Sequence, residues 1–172
     1  MNASKKASRT IVIFGGLLTV VTIGVWSATV SATDAPAKPP VAHKQANLPP
    51  FPFGPRDPLP RSPQVVAAVF RFAAEHPDVL AYVPCFCGCD HMGHKGNDDC
   101  FVKSRAANGD VVQWEPHGTE CQVCIDVGQQ AMQMYSSGAS VRQIRTTIEQ
   151  KYAGQYQNHT PTPQPPAPAG TK

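Results

Sequence analysis

Pro84-Cys85-Phe86-Cys87-Gly88-Cys89, then Cys100, then Cys121-Gln122-Val123-Cys124 hold every cysteine of a 172-residue chain. Three of the six histidines, His91, His94 and His117, fall in the same window, while His43, His76 and His159 lie outside it. From Cys85 to Asp99 the residues are rich in Gly, Asp and His, a composition that builds neither a helical stripe nor a strand alternation. The shape of this loop must therefore be imposed by its side chains rather than by backbone ladders. Gly88 lets the chain turn sharply enough to direct neighbouring sulfurs inward.

Outward from this loop the pattern becomes helical. Ser62-Pro63 is a helix start, because Ser caps free N–H groups and Pro suits the first turn. Val65, Val66, Val69, Phe72 and Ala73 then mark one helix face until Pro77 stops it, and Asp78 to Val83 predicts one further turn before Pro84. On the other side, Phe101-Val102 and Val111-Val112-Gln113-Trp114 flank Asn108-Gly109, a pair that tolerates the positive φ of a tight turn and predicts a short hairpin. Glu120 to Tyr135 carries Cys121, Cys124, Ile125, Gly128, Met132 and Tyr135 near helical spacing, and Ser136-Ser137-Gly138 ends it. Ser140 with Gln143 forms a capping box ahead of Val141, Ile144, Ile148 and Tyr152. These last two helices are expected to pack as an antiparallel pair. The fold class that follows is mainly α: a small single domain of three to four helices over 63–157, with an irregular Cys/His-rich loop and a short β-hairpin.

The ends read differently. Ten prolines lie between Asp34 and Pro63, and residues 33–62 read as a semi-rigid Pro-rich linker. Residues 158–172 carry five more prolines and read as a disordered tail. At the amino end, Lys5, Lys6 and Arg9 precede an uncharged run of 24 residues from Thr10 to Thr33. Residues 1–32 are thus expected to be a signal peptide, with Val30-Ser31-Ala32 as an exit, or a signal-anchor helix that keeps the basic end inside and holds the domain outside the cytoplasm. Removing those three basic residues from the total of 15 leaves twelve against the twelve acids, so the formal +3 belongs to targeting. Nucleic acid is excluded as the main partner, since its binding needs clustered Lys and Arg.

Three chemistries fit the six cysteines. Three disulfides would staple a domain near the lower size limit for a core of its own, and an exported chain favours them. That reading leaves the histidines unexplained. A metal site, or two adjacent ones, would use Cys85, Cys87, Cys89, Cys100, Cys121 and Cys124 as thiolates, with His91, His94 and His117 as nitrogen ligands. Thiolate and imidazole together suit Zn(II) and Cu(I). The third chemistry is dithiol redox exchange at Cys121 and Cys124, where a helix amino terminus lowers a thiol pKa. Asp90, Asp98, Asp99 and Glu120 read as turn and cap residues, because hard carboxylates partner thiolate sites poorly. Met132, Met134 and Trp114 read as packing. No Ser-His-Asp set, paired-carboxylate signature or phosphate loop is present, so a binding protein is expected before an enzyme.

Pro84-Cys85-Phe86-Cys87-Gly88-Cys89, followed by Gly93-His94-Lys95, Asp99-Cys100-Phe101-Val102 and His117 to Ile125, resembles the bacterial PCYCGC-motif family, with Phe86 in the tyrosine position. The resemblance runs from about Glu75 to Tyr152. Many members are lipoproteins, and this chain departs from them in having no cysteine before Cys85. No established activity comes with the resemblance; its ligand set implies metal binding. A second, short similarity links Cys121-x-x-Cys124 and the following helix to the dithiol domain of cytochrome c maturation proteins, and it implies the redox chemistry alone. The expectation is an exported, membrane-tethered protein that binds Cu or Zn at the cell surface.

Overall fold

The computed structural model describes residues 40–167. The predicted leader, residues 1–32, and the first part of the Pro-rich run lie outside them. Among the described residues, four α-helices and one two-stranded sheet make up the regular structure: α1 (Pro63–Glu75), α2 (Pro77–Leu80), β1 (Val102–Arg105), β2 (Val111–Trp114), α3 (Gln122–Ser136) and α4 (Val141–Tyr152). Short 3-10 turns at Cys89–Met92, Asp98–Cys100 and Pro116–Thr119 break the irregular stretches. The mainly helical expectation holds. Among the described residues no helix is long and apolar enough to cross a membrane.

Local chemistry accounts for the helix limits. The Ser62 hydroxyl accepts from Val65 N, Pro63 occupies the first turn, and Pro77 closes the pattern after His76. α1 buries Val66, Val69, Phe70, Phe72, Ala73 and Ala74. Ser140 and Gln143 form the predicted capping box, with Gln143 N donating to the Ser140 hydroxyl and Ser140 N to Gln143 Oε1. α3 packs on α1 and on α4. It starts at Gln122 rather than Glu120 because Cys121 is its N-cap, the sulfur accepting from Cys124 N. The hairpin pairs Val102 with Trp114 and Arg105 with Val111, antiparallel, around the Asn108-Gly109 turn. Its inner face carries Val102, Val111 and Trp114 into a core centred on Phe70, whose ring meets Phe101 at 5.1 Å and Trp114 at 5.5 Å between centroids.

Two segments depart from expectation. From Pro40 onward the Pro-rich run is no free spacer; it is laid along the domain as a strap without helix or strand. His43 N donates to Glu75 O, and Gln45 pairs both ways with the backbone of Val111, at 2.7 Å and 3.2 Å. Trp114 Nε1 donates to Pro49 O, and Phe51 and Phe53 stack on each other and reach Phe70. Arg61 closes the strap with a two-pronged pair to Asp126 on α3, at 2.6 Å and 2.8 Å. Prolines forbid ladders but do not prevent burial, and this run carries Leu48, Phe51, Phe53 and Leu59 among them.

The tail from residue 158 departs likewise. Thr160 is 1% exposed and doubly bonded to Cys85, with Thr160 N donating to Cys85 O at 2.9 Å and Cys85 N donating to the Thr160 hydroxyl at 2.8 Å. Arg145 on α4, itself buried, donates to the carbonyls of Tyr82, Thr162 and Pro163. Residues 160–163 are thereby fixed beside the first cysteine.

Candidate metal centre

Three chain segments converge on one point. The first enters from α2 through Val83 and Pro84 and delivers Cys85 and Cys87, while Phe86 between them turns away to stack on Tyr152 of α4 at 5.6 Å. Gly88 follows with φ of 77°, a left-handed conformation that costs other residues energy, and it reverses the chain so that Cys89 returns to the same side. The second segment brings Cys100 at the end of a 3-10 turn. The third is the turn Pro116–Thr119 and the start of α3, which carry His117, Cys121 and Cys124. Asn97, fully buried, ties the segments together: its N–H donates to Val83 O and its amide nitrogen to Cys124 O. Gly118 lets the third segment press against the second, since a Cβ there would stand 2.5 Å from Cys100 O and 2.5 Å from the Phe101 ring.

The six sulfurs form one continuous cluster. Cys85 Sγ lies 3.4 Å from Cys87, 3.3 Å from Cys100 and 3.2 Å from Cys124. Cys124 Sγ is 3.4 Å from Cys87 and 2.7 Å from Cys121, and Cys89 Sγ is 3.8 Å from Cys100. His117 Nε2 approaches Cys87 Sγ at 3.4 Å. Two four-donor sets emerge whose ligand atoms all lie within 4.8 Å of one another: Cys85, Cys87, Cys89 and Cys100; and Cys87, His117, Cys121 and Cys124. Sulfurs bound at about 2.3 Å around a tetrahedral ion stand about 3.8 Å apart, so the Cys85–Cys87, Cys85–Cys100 and Cys87–Cys124 contacts need to open by about 0.5 Å or less and the Cys121–Cys124 contact by about 1 Å. These residues can hold a metal ion.

The remaining expected ligands sit differently. His94 is buried with Nδ1 3.7 Å from Cys100 Sγ and its ring 5.8 Å from that of His117, at the rim of the cluster but in neither set. His91 is exposed, its Nδ1 against its own loop at Gly88 O. All six cysteines are free thiols, and the closest sulfur pair at 2.7 Å is well beyond a bond of about 2.05 Å. Cys85 and Cys124 each touch three other sulfurs, a many-sided arrangement unlike the one-to-one partnering of disulfides.

A family model for a protein of unknown function with PCYCGC motif matches residues 55–165. The chain belongs to this family. The match extends past Glu75–Tyr152 in both directions, over Arg61 and Thr160, as befits a strap and tail that are part of the fold. No curated protein and no solved structure matches the chain.

Within the PCYCGC segment the thiols cannot all ionise side by side. Cys85 is brought down to about 4 by thiol hydrogen bonds from Cys100 and then Cys124, and Cys87 is held low by Cys100, Cys121 and Cys124. Cys100 is pushed well above the ordinary thiol range by its contacts with Cys124, Cys85 and Cys87, and by burial. Protons shared among crowded sulfurs are what a cation displaces on binding.

Sequence reading passed over Asn97, Thr160 and Arg145, which position the cluster rather than join it. Arg145 did leave a signal: it stands four residues after Val141 and three before Ile148, a charge on the buried stripe of α4. Asn97 and Thr160 left none, because each acts through a backbone partner distant in sequence.

Proposed function

We propose that this is an exported, membrane-tethered protein whose function is to bind zinc or copper(I) through the clustered thiolates, in metal handling at the cell surface. The observation that carries the reading is the focus of six thiols and His117 on one small volume, drawn from three separate segments. Soft sulfur donors select Zn(II) and Cu(I) over the hard, oxygen-seeking ions. Export rests on Lys5, Lys6 and Arg9 ahead of the uncharged run Thr10 to Thr33. Native mass spectrometry of the protein made in an oxidising compartment, with a count of free thiols, tests the binding. Metal-bound protein with reduced cysteines is the expected result; a metal-free species six protons lighter would overturn it.

A second reading, thiol–disulfide exchange, has one observation in its favour. Cys121 is the N-cap of α3 and accepts from the Cys124 thiol at 2.7 Å. Yet Cys121 is pushed up to about 12, since the lowering bond from Cys124 is outweighed by the neighbouring Cys87 and by burial. A thiol so placed is a poor nucleophile. Exchange chemistry predicts one fast-alkylating cysteine; the metal reading predicts protection of all six thiols that is lost when a chelator is added.

A further inference from the structure

The two donor sets are not alternatives for one ion. They share a single residue, Cys87, and together contain seven donors. Two four-coordinate ions require eight ligand positions, which seven donors supply only when one of them serves twice. A thiolate has the lone pairs to bridge, and an imidazole nitrogen does not. Cys87 is also the residue placed to bridge: its sulfur lies 3.4 Å from Cys85 in one set and 3.4 Å from both Cys124 and His117 in the other. Cys85 and Cys124, one from each set, are 3.2 Å apart, so the two positions adjoin.

Resting on the metal-binding reading above, we infer that the cluster is a two-ion centre bridged by Cys87. The inner ion is held by Cys85, Cys87, Cys89 and Cys100, three of them buried. The outer ion is held by Cys87, His117, Cys121 and Cys124, of which only Cys124 is buried. The inner position is thus the slowly exchanging one, and the outer position faces solvent and exchanges first.

Cadmium loading of the full chain with a spin-half cadmium isotope reads this directly, because two cadmium nuclei couple through a shared sulfur and not otherwise. Two cadmium resonances, each split by the other, are expected. Two unsplit resonances, or one alone, would overturn the bridge while leaving metal binding intact; no bound cadmium at all would remove both. Cys121→Ser, altered at the outer position alone, is expected to keep one cadmium and lose the splitting, and two retained ions would contradict the assignment. Native mass spectra during chelator titration should pass through a one-ion species, whereas simultaneous loss of both ions would contradict the unequal exposure.

Discussion

At the scale of single residues, the cluster depends on contacts that contain no sulfur. Gly118 is the sharpest case, because any Cβ there meets a backbone oxygen, Cys100 O, that cannot rotate away. Gly118→Ala should cost about 1–3 kcal/mol in urea unfolding of the metal-loaded protein and weaken metal binding with it. Thr160 supplies the acceptor for Cys85 N, and that N–H is buried. Thr160→Val, which keeps the shape and removes the oxygen, should destabilise by about 1–3 kcal/mol and speed hydrogen exchange at the Cys85 amide. The cysteines themselves were legible in the sequence, since clustering and spacing advertise ligation. Their supporting residues were not: Asn97 and Thr160 act through backbone groups of Val83, Cys124 and Cys85, and no periodicity encodes such a pairing.

Among the elements, helices and hairpin followed from short-range rules, namely Ser62-Pro63, the Ser140-Gln143 box and the Asn108-Gly109 turn. The strap did not, because its proline content reports only the absence of ladders, while its attachment depends on where Phe70, Trp114 and Asp126 stand in three dimensions. Phe51→Ala should lower stability by about 2 kcal/mol, the ring being half-buried, with little effect on the metal content of protein that remains folded. The strap also carries a pH signature. His43 Nε2 lies 2.6 Å from Asp110, whose carboxyl is held below its ordinary value by that contact and by Asn108. A depressed acid contributes fully above its unfolded pKa of about 4, and the contribution disappears as pH falls through the lower folded value. Chemical shifts at Gln45 and Val111 should therefore move as pH falls below about 4.

For the molecule as a whole, the Cys/His-rich loop has no helix-to-strand scaffold of its own and is held by α3, α4 and Thr160. A domain of this size sits near the limit of what a core can support alone, so ions that clip three segments together should contribute to folding as well as to function. Deleting the tail after Gln157 removes Thr160 and two of the carbonyls that Arg145 grips. The truncated protein should melt more than about 5 °C lower and release metal faster than the full chain. X-ray absorption on the zinc-loaded protein distinguishes six cysteines acting as thiolate ligands from six cysteines paired as disulfides. A first shell dominated by sulfur at about 2.3 Å with a minor imidazole contribution is expected; a shell of oxygen and nitrogen alone at about 2.0–2.1 Å would overturn thiolate ligation.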